Sequence, residues 1–158
     1  MKYIFTCFFF TIMWFNISLA CPDLNAQADD VLKVPSDMLE GNGLSKNVYS
    51  KDEWNIVECS YAKNNVSLHN QYGNIYFPHK PNIQIDISYL GGIYLSFESN
   101  GDCDSYLLVK GPLGGWDLGN RDFPASFSNP QDGVYSIWVG TRGVKNCKIS
   151  VISKAQYN

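Results

Sequence analysis

Between residues 83 and 97 the chain is apolar at every second position, and that pattern excludes most folds. Ile83, Ile85 and Ile87 share one side, with Gln84 and Asp86 on the other; after Gly91-Gly92, Ile93, Leu95 and Phe97 face inward and Tyr94 and Ser96 outward. A period of two is the mark of a strand with one dry face, as in antiparallel sheets. Further strands are expected at Trp54–Cys59 and at Val134–Val139, between Gly133 and Gly140. Cys147, Ile149 and Val151 should form one face of the last strand. Tyr106–Lys110 is more continuously apolar and is expected to be central. Turn signals separate these runs at Ser99-Asn100-Gly101-Asp102 and at Gly111–Gly115. With 10 Tyr, 9 Phe and 4 Trp, the composition suits pleated surfaces, and no helical stretch follows the N-terminus. The expectation is an all-β fold, an antiparallel β-sandwich.

The first 20 residues have the layout of an export signal. Lys2 is a short charged region, Tyr3–Phe15 is almost wholly apolar, and Ser18-Leu19-Ala20 offers small residues for cleavage. The apolar run falls short of the roughly 20 residues that span a bilayer, so no integral membrane segment is expected after cleavage. The expected location is secreted or periplasmic. Ala26-Gln27-Ala28 is a second cleavage candidate, far from the apolar run. Lipidation of Cys21 is a further rival, although Ser18 and Leu19 stand in the reverse of the usual lipoprotein order.

Cysteine parity bears on the choice. Cys7 leaves with the signal, and Cys21, Cys59, Cys103 and Cys147 remain as an even set in an oxidising compartment. Of the three pairings that four cysteines allow, chain order favours Cys21–Cys59 and Cys103–Cys147, one staple per half. Each loop of about 40 residues would contribute roughly 3–4 kcal/mol by the loop-entropy account. The wide spacing does not suit zinc. The expected organisation is a signal at 1–20, an ordered N-terminal arm at 21–45 tied down by Cys21, and the sandwich at 46–158. In the arm, Val31-Leu32 and Met38-Leu39 are enough for one short strand or helical turn.

The second half carries a resemblance. Asp104-Ser105-Tyr106-Leu107-Leu108-Val109 leads into Gly111-Pro112-Leu113-Gly114-Gly115-Trp116, and Gly133-Val134-Tyr135-Ser136-Ile137-Trp138-Val139-Gly140-Thr141 follows. This pattern resembles the bacterial pre-peptidase C-terminal type of β-sandwich, including stand-alone exported bacterial proteins built on that domain. The match is strongest over about residues 95–152 and weaker over 21–94. The resemblance implies a jelly-roll-like sandwich outside the cytoplasm that assists export, folding or substrate binding. The related pattern carries a run of aspartates after the tryptophan, which Leu118 and Arg121 interrupt in this chain.

Three site chemistries can be weighed on residue types. Hydrolysis finds little support: no G-x-S-x-G occurs, and the two histidines, His69 and His79, lie in a polar segment that reads as surface loop. A cation such as calcium would suit the oxygen donors Asp102, Asp104, Asp117, Asn120 and Asp122, were their loops to meet at one end of the sandwich. The alternative is that these residues solubilise and cap turns, with Arg121 relieving their repulsion. Trp116, Tyr72 and Tyr76, near turns, are candidates for an aromatic platform that binds glycan or peptide, whereas Trp54 and Trp138 read as core. Asn65-Val66-Ser67 fits a glycosylation pattern of eukaryotic secretion.

A formal charge of −3 leaves no basic footprint for nucleic acid. The functional expectation is an exported, non-catalytic binding or accessory module with a protein or glycan partner and no cofactor unless calcium binds. Rival readings are an inhibitor of a hydrolase in the same compartment and a small secreted hydrolase.

Overall fold

The computed structural model describes residues 21–59 and 74–157. The described chain is built from eleven strands: β1 (Asp30–Pro35), β2 (Leu44–Tyr49), β3 (Trp54–Asn55), β4 (Tyr76–Phe77), β5 (Ile83–Ser88), β6 (Ile93–Gly101), β7 (Ser105–Lys110), β8 (Trp116–Asn120), β9 (Ala125–Phe127), β10 (Gly133–Thr141) and β11 (Lys148–Tyr157). They form two packed sheets. The larger has β10 at its centre, bounded on one edge by β5 and β4 and on the other by β7, which pairs in turn with β8. The smaller runs β2-β11-β6-β9. The fold is an all-β sandwich, and the disulfides Cys21–Cys59 and Cys103–Cys147 join the pairs that chain order favours.

The alternating strands supply the layer between the sheets. Ile83, Ile85 and Ile87 of β5 meet Leu95 and Phe97 of β6, Ile149 and Val151 of β11, and Tyr135, Ile137 and Val139 of β10 in one buried cluster. The neighbours of these residues in sequence point the other way. Leu107 and Val109 of β7 lie in this core, while Tyr106 and Leu108, out of phase with them, lie in a second cluster on the outer face of the larger sheet. Trp138 joins that second cluster, where Trp54, Ile56, Ile75 and Phe77 cover it. The continuous apolarity of Tyr106–Lys110 therefore has a physical cause: β7 is dry on both faces.

The cover fits closely. Gly140 of β10 lies under β4, where a Cβ would come within 2.5 Å of the Tyr76 carbonyl and 2.7 Å of the Phe77 ring. Only hydrogen fits there, which accounts for a glycine inside a buried strand. Trp54 stacks on Phe77 at 5.4 Å, and its indole N–H donates to the Pro78 carbonyl.

One expectation is corrected. The Trp54–Cys59 strand stops after Asn55 and becomes a 3₁₀ turn over Ile56–Glu58. The Asn55 side chain accepts the Val57 N–H at 3.2 Å, and this cap competes with the strand ladder. Within residues 21–45, β1 is a strand of the larger sheet and a 3₁₀ turn follows it at Ser36–Leu39. The pairing of β1 with β5 is parallel, whereas every other strand pair among the described residues is antiparallel. No helix among the described residues is long and apolar enough to cross a membrane.

Candidate functional site

On the side where β1 and β2 form the open edges of the two sheets, a cleft of about 510 Å³ opens between them. Its walls come from Asp29 and Asp30, from Asn47–Tyr49 of β2, from Lys51 and Glu53, and from the segment Pro78–Asn82. Residues 78–82 are fixed at both ends. The Asn82 backbone N–H donates to Ile137 O at 2.8 Å, and its side-chain Oδ1 accepts the Val139 N–H at 2.6 Å, both on β10. Its Nδ2 donates to the Tyr49 carbonyl at 3.3 Å, so one amide bridges the two sheets.

His79 is held by both its backbone and its ring. The backbone N–H donates to Glu53 Oε2, and the carbonyl accepts from the Asp23 N–H and from the indole of Trp138. Ring Nδ1 lies 3.1 Å from the Cys21 carbonyl. A carbonyl only accepts, so Nδ1 carries the proton in this bond. The Cys21–Cys59 disulfide thus helps to orient a cleft side chain.

Charge in the cleft is balanced. Lys46 pairs with Asp30 at 3.1 Å, which leaves Lys51 and Lys80 against Asp29 and Glu53. Tyr49 stands at the rim, 59% exposed. Among the described residues the walls hold no serine, threonine or cysteine, and the hydroxyl in the lining is that of Tyr49.

The expected site residues are placed differently from one another. Asp102, Asp104, Asn120 and Asp122 do converge, with Arg121, around a smaller cleft of about 280 Å³. Asp117 does not join them. Its Oδ2 accepts the Ser126 N–H at 2.6 Å and its Oδ1 the Leu118 N–H at 3.0 Å, so it stitches β8 to β9. Asn120 caps its own turn, with Oδ1 accepting from the N–H groups of Asp122 and Phe123. The cation paired with Asp104 is Arg142, at 3.5 Å, rather than Arg121, and the Tyr106 hydroxyl also donates to Asp104. No group of three or more His, Cys, Asp or Glu among the described residues is arranged to hold a metal ion.

The aromatic platform is also revised. Trp116 is buried against Trp138, with ring centroids 5.4 Å apart, and offers no open face. Tyr76 is half-buried in β4 and pairs with Thr141. Tyr72, His69 and the Asn65-Val66-Ser67 pattern lie outside the described residues. The exposed aromatic at a cleft is Tyr49, which residue-type reasoning passed over because it sits in an ordinary polar strand. His79 was read only as a surface histidine, although Pro78 and Pro81 bracketing His79-Lys80 are a signal for a rigid, shaped loop.

Compared with known proteins, the chain matches no family model, no curated protein and no solved structure.

Proposed function

We propose that this chain is an exported, non-catalytic binding module, secreted or periplasmic, and that the cleft between β1 and β2 is its binding site. The observation that supports the reading is the cleft itself, a preformed concavity whose described wall residues balance in charge. Its volume falls in the range of about 300–1,000 Å³ usual for ligand sites. The two disulfides accord with an oxidising compartment. The resemblance to the pre-peptidase C-terminal type of domain is part of the same proposal, and it favours an accessory role beside other exported proteins.

The test uses the mature protein, immobilised and exposed to periplasmic or extracellular extract. Saturable retention of one component, lost on substitution of Tyr49 or Lys80, is the expected result. Turnover of generic ester, peptide or glycoside substrates by the purified protein would overturn the reading in favour of a hydrolase.

A further inference from the structure

We infer that the cleft takes a neutral oligosaccharide, with Tyr49 as the ring on which one sugar stacks. The inference rests on the binding-module reading and names its ligand class. Four features of the cleft carry it.

The first is charge. With Lys46 held by Asp30, Lys51 and Lys80 offset Asp29 and Glu53, so the described wall residues offer no net attraction to an anion or a cation. The second is a mixed lining: Tyr49, Pro78 and Pro81 give the walls apolar surface beside the polar groups. Amide, carboxylate and ammonium groups offer donors and acceptors side by side, which is what vicinal hydroxyls require.

The third is Tyr49. A rigid ring with an apolar face and a polar tip suits the aliphatic face of a pyranose, and Tyr49 is 59% exposed as a residue. The fourth is the surface beyond the cleft. Asn47 lies opposite Ser150 on β11, and Ser150 lies opposite Asn100 on β6, so a rung of small polar side chains crosses the smaller sheet. Ser45 and Ser150 hydroxyls bond at 2.6 Å on the same face. Lys148 stands opposite Tyr49 on β11 and borders this rung, and a chain of several sugars can continue from Tyr49 past it, which favours an oligosaccharide over a single sugar.

The experiment is calorimetric titration of the mature protein with cellohexaose, chitohexaose, xylohexaose and maltohexaose, each at low and high salt. Saturable binding of at least one is expected. Tyr49→Ala should weaken it about tenfold or more, and Tyr49→Phe should retain it. Tyr89→Ala, at the far end of β5, should leave it unchanged. Raising sodium chloride from about 50 to 500 mM should change the affinity less than about twofold, because no ionic contact is screened. Failure of all four sugars to bind, indifference to Tyr49→Ala, or a steep salt dependence would overturn the inference. If no sugar binds but Tyr49→Ala still abolishes capture of a protein from the extract, the ligand class is wrong and the binding module stands. If capture also survives Tyr49→Ala, the cleft is not the site and both readings fall.

Discussion

The indole N–H of Trp138 donates to the carbonyl of His79 across 3.2 Å. That bond ties the centre of the outer apolar layer to the wall of the cleft. Trp138 also stacks on Trp116, and both lie in the cluster sealed by Trp54, Ile56 and Phe77. The loop bearing His79 is thus positioned by core packing as well as by its own prolines.

Truncating this anchor should be costly. Trp138→Ala removes a buried ring and leaves a void between β10 and the covering strands, an expected loss of about 3–5 kcal/mol in chemical denaturation. Trp138→Phe keeps most of the packing and loses the indole N–H, so its cost should be clearly smaller. Equal losses for the two variants would show that the hydrogen bond, not the packing, dominates at this position.

Tyr135 sets a limit at high pH. Burial raises its pKa to about 12, with the Asp132 charge adding to the shift and the hydrogen bonding to the Gln131 backbone opposing it. The unfolded chain releases this proton near pH 10 and the folded chain holds it to about 12, so the unfolded state binds fewer protons in between. Stability should hold below pH 10 and fall progressively from 10 to 12. Denaturation midpoints across that window, compared with Tyr135→Phe, provide the check. A Tyr135→Phe protein with the same pH profile would assign the loss to another group.

Asp117 is expected to act without a metal. Its carboxylate receives the Ser126 and Leu118 N–H groups, and removing it strands both donors at a partly buried corner. Asp117→Ala should cost about 1–3 kcal/mol, equally in calcium and in chelator. The melting temperature of the unaltered protein should likewise be insensitive to calcium. A calcium-dependent rise lost in Asp122→Ala would assign a cation to the smaller cleft after all.

Tyr89 occupies the left-handed region, with φ of 65°, and the residue is 77% exposed. Its backbone is clamped there. Asp132 accepts the N–H groups of Tyr89 and Leu90, and the Ser36 hydroxyl donates to the Tyr89 carbonyl. Since none of these bonds uses the ring, Tyr89→Gly should relieve the backbone strain and raise stability by up to about 1 kcal/mol. Thermal melts that show a loss instead would mean that the ring contributes packing despite its exposure.

The alternation of Ile83–Ile87 and Ile93–Phe97 was enough to define two strands and their dry faces, because side chains on a pleated strand alternate whatever the strand packs against. The cysteine order favoured one of three pairings, and the tertiary structure joins that one. What covers a strand is a different matter. Tyr106 and Leu108 announce a second dry face, but only tertiary structure shows that Trp54, Ile56, Ile75 and Phe77 fold over it and take Trp116 out of reach of a ligand. The cleft was invisible for the same reason. Asp30, Tyr49 and Asn82 become neighbours because β1 and β2 are the open edges of different sheets, and strand order is set by long-range pairing. The parallel docking of β1 on β5 follows the same rule: a six-residue strand can satisfy its ladder in either direction, and the connections of the whole sandwich select one.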